Sequence, residues 1–299
     1  MSEILISVEG LEKKFFRSGI GKGEGFVALS GVSFTIPRGS IFGLVGESGC
    51  GKTTLARCML YLDQPSSGSV VFDGRALAEI APREWRQLRH RMQIVFQDPN
   101  SALNPKLSVR MSLAEGLANR GITGSSRESR INRAADLVGI PVKHLGRKPG
   151  EFSGGQKQRI VIARSLVMDP DFLVLDEPVS NLDVSIQAQI VNLLMDLKND
   201  LSLTYLFISH DLNLIAYLSD FVAVMYRGRI VEIAPTTELL ANPLHIYTRS
   251  LFFSVKLDGP PVCPSSSSCT MSGSACIDNP LDLRDIGGGH FLACNLYRN

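Results

Sequence analysis

The octet Gly46-Glu47-Ser48-Gly49-Cys50-Gly51-Lys52-Thr53 constrains this chain more than any other segment. It fits G-x-x-x-x-G-K-[ST], a loop whose glycines let successive backbone N–H groups turn toward phosphate oxygens while the following helix adds its partial positive charge. Such a loop needs a strand before it and a helix after it. Ile41-Phe42-Gly43-Leu44-Val45, with a β-branched residue at each end, supplies the strand, and Thr54-Leu55-Ala56-Arg57-Cys58-Met59-Leu60 continues as helix. In that context Lys52 is a point charge for β- and γ-phosphates, and the Thr53 hydroxyl is a Mg²⁺ ligand.

A second acidic element narrows the chemistry. The apolar run Phe172-Leu173-Val174-Leu175 ends in Asp176-Glu177, two carboxylates at the C-terminal edge of a strand. Asp176 there can hold Mg²⁺ through water, and Glu177 can polarise an attacking water as general base. Alone, this segment also fits a buried strand that merely leaves into a turn at Pro178; the other motifs favour the catalytic reading. Together the two elements specify nucleoside triphosphate binding and hydrolysis.

Between them lies Phe152-Ser153-Gly154-Gly155-Gln156. With it the chain resembles the ATP-binding-cassette family, whose signature is Ser-Gly-Gly-Gln, here preceded by Phe152 where Leu is commoner. The pattern continues through Gln97 in Val95-Phe96-Gln97-Asp98-Pro99, Asp183 in Ser180-Asn181-Leu182-Asp183, and His210 in Ile208-Ser209-His210-Asp211. The resemblance covers residues 1 to 240. It implies that Gln97 senses the metal and attacking water, that His210 contacts the γ-phosphate, and that Asp183 lines a dimer interface. It also implies that Ser153, Gly154, Gly155 and Gln156 face the γ-phosphate of ATP held by the opposite subunit. Ser153 suits that role, because as a helix cap its hydroxyl and the nearby N–H groups form an anion site. The family usually stacks adenine on an aromatic residue before the first buried strand, and Phe15 is the candidate, with Phe16 as its rival. Neighbours on a strand face opposite ways, so one of the two is expected to pack inward.

Composition agrees with a globular α/β protein. At 299 residues and 44% hydrophobic the chain can bury a substantial core with appendages. No apolar stretch approaches the roughly eighteen residues of a transmembrane helix, and Met1 to Gly10 lacks a basic start and apolar signal core. Thus neither a membrane span nor a secretory signal is expected. The net charge of +2 comes from 31 basic and 29 acidic residues scattered throughout, which gives no electrostatic reason for a nucleic-acid partner. The cluster Arg83, Arg86, Arg89, His90 and Arg91 reads as a solvated helical face.

Three parts follow for residues 1–235: a P-loop core of the RecA-like kind, a helical subdomain over about 98–165, and an antiparallel β subdomain including Val27 to Ile36 and Ser69 to Phe72. Ile122 to Arg127 reads as a loop between helices, and Val184 to Lys198 as a helix. Strands alternating with helices predict parallel pairing in the core.

Residues 236–299 form an extension of a different kind. Asn242-Pro243-Leu244-His245-Ile246-Tyr247-Thr248 resembles the segment after the cassette in oligopeptide and dipeptide importer ATPases, with Ile246 where that subgroup usually has Pro. Phe-Gln-Asp-Pro and Leu-Asn-Pro elements within Val95 to Pro105 carry the same likeness. Relatives of that subgroup handle nickel, metal chelates or other small solutes. Cys263, Cys269, Cys276 and Cys294 fall within the last 37 residues, among Pro, Ser and Gly. In a reducing compartment clustered thiols bind metal more often than they pair, but no C-x-x-C is present. Their pattern resembles the C-terminal motif that in peptide-importer ATPases carries a [4Fe–4S] cluster; zinc and uncomplexed thiols stay open beside it. Cys50 is a small loop filler whose neighbours, Lys52 and the loop N–H groups, should favour a thiolate, and Cys58 is a helix core residue.

The resemblance implies ATP and Mg²⁺ as ligands. It implies as partners a second cassette, identical or paralogous, two transmembrane permease subunits and an extracytoplasmic solute-binding protein, with this chain peripheral on the cytoplasmic face of the inner membrane. Asp98 to Pro105 are the expected docking neighbours of the permeases. A chromosome or repair ATPase is disfavoured, because Gln97 and Ser153 stand only 56 positions apart, too close for a coiled-coil arm. A soluble cassette protein of the ribosome normally carries two cassettes, and this chain has one.

Overall fold

A computed structural model describes residues 3–16, 25–253 and 282–294. The chain divides into two compact units, one formed by Met1–Glu79 with Phe207–Asn299 and the other by Ile80–Leu206. Residues 236–253 and 282–294 thus belong to the same unit as the phosphate loop.

The first unit holds two sets of strands. Phe26–Pro37, Ile4–Phe15, Ser67–Phe72 and Arg75–Ala76 pair in that order as an antiparallel sheet, enclosing the strands expected at Val27 to Ile36 and Ser69 to Phe72. Alternation places Ile6 and Val8 in the core, and a register shift between Val8 and Leu11 brings Leu11 inward as well. The last pair is joined by Asp73-Gly74, both at positive φ (51° and 74°), the geometry a two-residue hairpin turn requires.

The other set runs Arg284–Asp285, Phe291–Leu292, Arg229–Pro235, Phe221–Tyr226, Ile41–Val45. Ile41–Val45 pairs in parallel with Phe221–Tyr226, in register from Phe42 opposite Phe221 to Val45 opposite Val224. All five residues of Ile41–Val45 are buried, as expected of a parallel strand covered on both faces. Phe34 stacks on Phe42 with ring centroids 4.9 Å apart, joining the antiparallel sheet to this core.

In the second unit Met92–Val95 lies parallel to Phe172–Asp176, with Val95 opposite Leu175. Its helices are Pro82–Leu88, Pro99–Ala102, Val109–Asn119, Gly124–Leu137, Gly154–Leu166 and Val184–Leu201. Side chains cap several of them: Asp98 accepts from Asn100 and Ser101 N–H, and Ser108 from Met111 N–H. The helix expected at Val184 to Lys198 extends to Leu201 and stops where Ser202 turns left-handed at φ 53°. The loop expected over Ile122 to Arg127 is shorter. The helix already begins at Gly124, because serines are tolerated in a first turn.

Arg83, Arg86 and Arg89 are exposed as anticipated, whereas Arg91 pairs with Asp171. Among the described residues no helix is long and apolar enough to cross a membrane.

Candidate functional site

In the first unit the buried strand Ile41–Val45 runs directly into the glycine loop and the helix Lys52–Met59. A Cβ on Gly46 would sit 2.2 Å from the Met225 carbonyl oxygen, and one on Gly51, at φ 112°, would sit 2.8 Å from that of Ala28. Glycine is therefore a packing requirement at these two positions. Gly49 is different. Its Cβ would meet nothing within 4 Å, so only its φ of 80° calls for glycine.

Lys52 is 6% exposed, and its Nζ donates to the carbonyls of Gly46 at 2.7 Å and Glu47 at 2.9 Å. The ammonium is thereby held inside the curve of the loop rather than extended into solvent. Thr53 is exposed at the helix start, and Thr54 is half-buried behind it. Ser48 and Gly49 are exposed at the loop crest.

Cys50 corrects the thiolate expectation. Its Sγ lies 3.8 Å from Lys52 Nζ, yet burial raises its pKa and outweighs the lysine and the backbone donors. The side chain is a neutral filler. Cys58 is fully buried in the helix, its pKa pushed up to about 11 by desolvation.

Ser209 N–H donates to the Leu44 carbonyl at 3.3 Å, which brings the exposed His210 beside the strand that feeds the loop. Asp211 then caps the next helix, accepting from Asn213 and Leu214 N–H. Phe15 is 43% exposed and Phe16 75%, so neither packs inward, contrary to the expectation. The reason is local: the strand ends at Phe15, opposite an exposed Phe26, and Phe16 lies past that end.

The second unit presents its own cluster. Asp176 is 5% exposed at the end of Phe172–Asp176, and Glu177 follows in a left-handed conformation at φ 48°. A non-glycine residue there stores strain, as functional positions often do. Because Val95 pairs with Leu175 in parallel register, Gln97 arrives level with Glu177, and its Nε2 donates to Glu177 Oε2 at 3.1 Å. The same nitrogen lies 3.3 Å from Ser180 Oγ, whose own hydroxyl donates to the Glu177 carbonyl at 3.2 Å. Ser180 carried no assigned role in the sequence; only its place in Ser180-Asn181-Leu182-Asp183 hinted at one.

Ser153 begins the helix Gly154–Leu166 through a capping box, its hydroxyl accepting from Gln156 N–H while Gln156 Oε1 accepts from Ser153 N–H at 3.0 Å. Ser153, Gly154 and Gln156 are exposed, whereas Phe152 is buried beneath the Arg147 guanidinium at 4.9 Å. A Cβ on Gly155 would meet Ile186 Cγ2 at 2.6 Å, so the helices Gly154–Leu166 and Val184–Leu201 approach closely there. Asp183 is exposed at the N-terminus of the latter. A groove of about 1100 Å³, bordered by Gln93, Phe96, Ala102, Glu115, Arg164 and Met168, opens on this unit.

Of the tail cysteines, Cys263, Cys269 and Cys276 lie outside the described residues, and Cys294 is half-buried. Among the described residues no group of three or more His, Cys, Asp or Glu is placed to hold a metal ion. Tyr247 was quoted in the sequence only as part of a likeness, but here it reaches the phosphate loop: Glu47 N–H donates to its hydroxyl oxygen at 3.1 Å.

A family model described as ABC transporter matches residues 29–180. The chain is 45% identical over 266 residues to the oligopeptide transport ATP-binding protein AmiF of Streptococcus pneumoniae, covering 87% of this chain and 84% of that one. It is 40% identical to the oligopeptide transport ATP-binding protein OppF of Bacillus subtilis, over 98% of this chain and 97% of that one. Among solved structures it resembles the ATP-binding cassette MJ0796 in a dimeric post-hydrolysis state bound to ADP and Pi, with a TM-score of 0.68 and 25% identity over 78% of this chain and 99% of that one.

Proposed function

Since the chain belongs to the ABC transporter family and is an ATPase of that family, we propose that it serves as the nucleotide-binding subunit of a binding-protein-dependent importer whose solute is a peptide. The observation that carries the peptide reading is the near full-length likeness to a protein named for oligopeptide transport.

The chemistry follows residue by residue. Loop N–H groups beyond Glu47 and as far as Thr54 bind phosphate oxygens, and Lys52 moves its charge from the loop carbonyls to the β- and γ-phosphates. Mg²⁺ supplies charge neutralisation to ATP when bound. Thr53 and Asp176 would each offer it a hard oxygen ligand, and Gln97 would sense the metal and the attacking water. Glu177 takes the proton of the attacking water, and Gln97 holds its carboxylate at the angle that this requires. His210 contacts the γ-phosphate, and Phe15 or the more exposed Phe16 stacks on adenine. The exposed Ser153, Gly154, Gln156 and Asp183, with the half-buried Gly155, face a second cassette, whose ATP they complete.

Two permease subunits and an extracytoplasmic solute-binding protein complete the importer, with this chain peripheral on the cytoplasmic side of the inner membrane. The groove beside Phe96 and Ala102 suits a permease segment. In the tail, the four-cysteine pattern supports metal ligation, which iron and zinc analysis of anaerobically purified full chain tests.

The reading is tested by purifying the chain with its membrane subunits in proteoliposomes and measuring hydrolysis as solutes are added with the binding protein. Peptides should stimulate turnover. Stimulation by nickel or a metal chelate but by no peptide would overturn the solute assignment.

A further inference from the structure

Glu232, on the strand Arg229–Pro235, has a fully buried side chain. Burying a carboxylate is costly unless both oxygens are satisfied, and here they are. Leu244 N–H donates to Oε1 at 2.8 Å, His245 N–H donates to Oε2 at 3.0 Å, and His290 Nε2 lies 2.8 Å from Oε1. His290 comes from the turn of the C-terminal hairpin, whose strand Phe291–Leu292 pairs with Glu232 and Ile233. One carboxylate therefore ties down two tail segments that are far apart in sequence.

The Asn242-to-His245 segment leads straight into the helix Ile246–Phe253. His245 is held neutral by burial, its pKa lowered to about 4, and its Nδ1 accepts from Tyr247 N–H at 3.1 Å. Tyr247 is 5% exposed. Its ring lies against Tyr226 with centroids 4.5 Å apart, and its hydroxyl oxygen accepts from Glu47 N–H. That N–H belongs to the peptide unit joining Gly46 to Glu47, whose carbonyl accepts from Lys52 Nζ. A trans peptide points its N–H and C=O in opposite directions, so fixing one end orients the other.

We propose that Tyr247 is a positioning residue for the ATP site, and that Glu232 makes its placement depend on the docked C-terminal hairpin. The Tyr247 hydroxyl sets the Gly46–Glu47 peptide plane, and with it the course of the loop that follows. The ring alone would fill the space. Only the hydroxyl can accept the loop N–H. A loop that has lost this acceptor must be ordered by the nucleotide itself, which weakens binding. The inference rests on ATP binding by the loop, not on the identity of the transported solute.

The test uses the full chain with MgATP, comparing Tyr247→Phe, Glu232→Gln and the double variant by calorimetric titration, steady-state hydrolysis and thermal unfolding. Tyr247→Phe keeps the ring and should raise the MgATP Kd and KM by about three- to tenfold, the scale of one hydrogen bond, with kcat within about twofold. Glu232→Gln, whose amide nitrogen can no longer accept, should raise the same two constants. The double variant should show less than the product of the two effects. Should Glu232→Gln fail to fold, His290→Gln replaces it and is expected to raise Kd in the same way. A lower melting temperature for Tyr247→Phe with Kd and KM unchanged would reduce the tyrosine to a packing role and overturn the proposal. Fully multiplicative effects in the double variant would overturn the dependence on Glu232.

Discussion

Gln97 donates a hydrogen bond to Glu177 at 3.1 Å, from the end of one parallel strand to the end of its neighbour. The register that aligns Val95 with Leu175 delivers both side chains to one sheet edge, and the positive φ of Glu177 turns its carboxylate to meet the amide. Gln97→Ala should leave that carboxylate poorly aimed. With positioning errors costing up to a hundredfold, kcat should fall by about ten- to a hundredfold while the KM for ATP changes by less than about threefold. Steady-state kinetics of the variant check this; unchanged kcat would mean that Gln97 does not position the base.

The exposed signature supports a shared site. Ser153→Arg should block hydrolysis by obstructing the partner's γ-phosphate, while ATP binding to the isolated chain survives. Mixing Ser153→Arg chains with Lys52→Ala chains should restore partial activity, because one site of each mixed dimer has an intact loop and an intact signature. Mixtures of folded, paired chains with no activity would contradict the head-to-tail arrangement.

Acid should loosen the tail. The folded-state pKa of His245 is lowered to about 4 by burial, against an ordinary value of 6.5. A depressed pKa contributes stability that is fully present above pH 6.5 and is lost as pH falls toward 4, amounting to roughly 3 kcal/mol. Denaturant unfolding from pH 7 to pH 4 should show that loss. His245→Asn, which keeps an acceptor near the Nδ1 position, should flatten the profile.

Cys50 should resist alkylation. Burial raises its pKa, so the reactive thiolate is scarce at neutral pH, and labelling should accelerate only above the ordinary thiol range. Mass spectrometry after iodoacetamide treatment between pH 7 and pH 10 measures this. Rapid labelling at pH 7 would restore the thiolate expectation.

What the sequence disclosed and what it hid divide along physical lines. The strand–loop–helix around Lys52, the strand ending at Asp176 and the cap at Ser153 are local events, written in adjacent residues, and each was legible. The link from Tyr247 to Glu47 spans 200 positions, and no periodicity or spacing encodes a pairing of that range. Glu232 reads as a polar residue in an apolar strand until its partners from residues 244, 245 and 290 appear. Phe15 and Phe16 misled because alternation holds only inside a strand, and this one ends between them. Cys50 misled because nearby donors are visible in sequence whereas burial is not.

The role of Glu177 as general base bears most directly on the account. Glu177→Gln preserves shape and hydrogen-bonding capacity but removes the proton acceptor. Calorimetric titration and single-turnover hydrolysis on the assembled transporter should show MgATP affinity within about threefold of the parent and a hydrolysis rate reduced by about a hundredfold or more. Hydrolysis close to the parent rate in that variant would contradict the assignment.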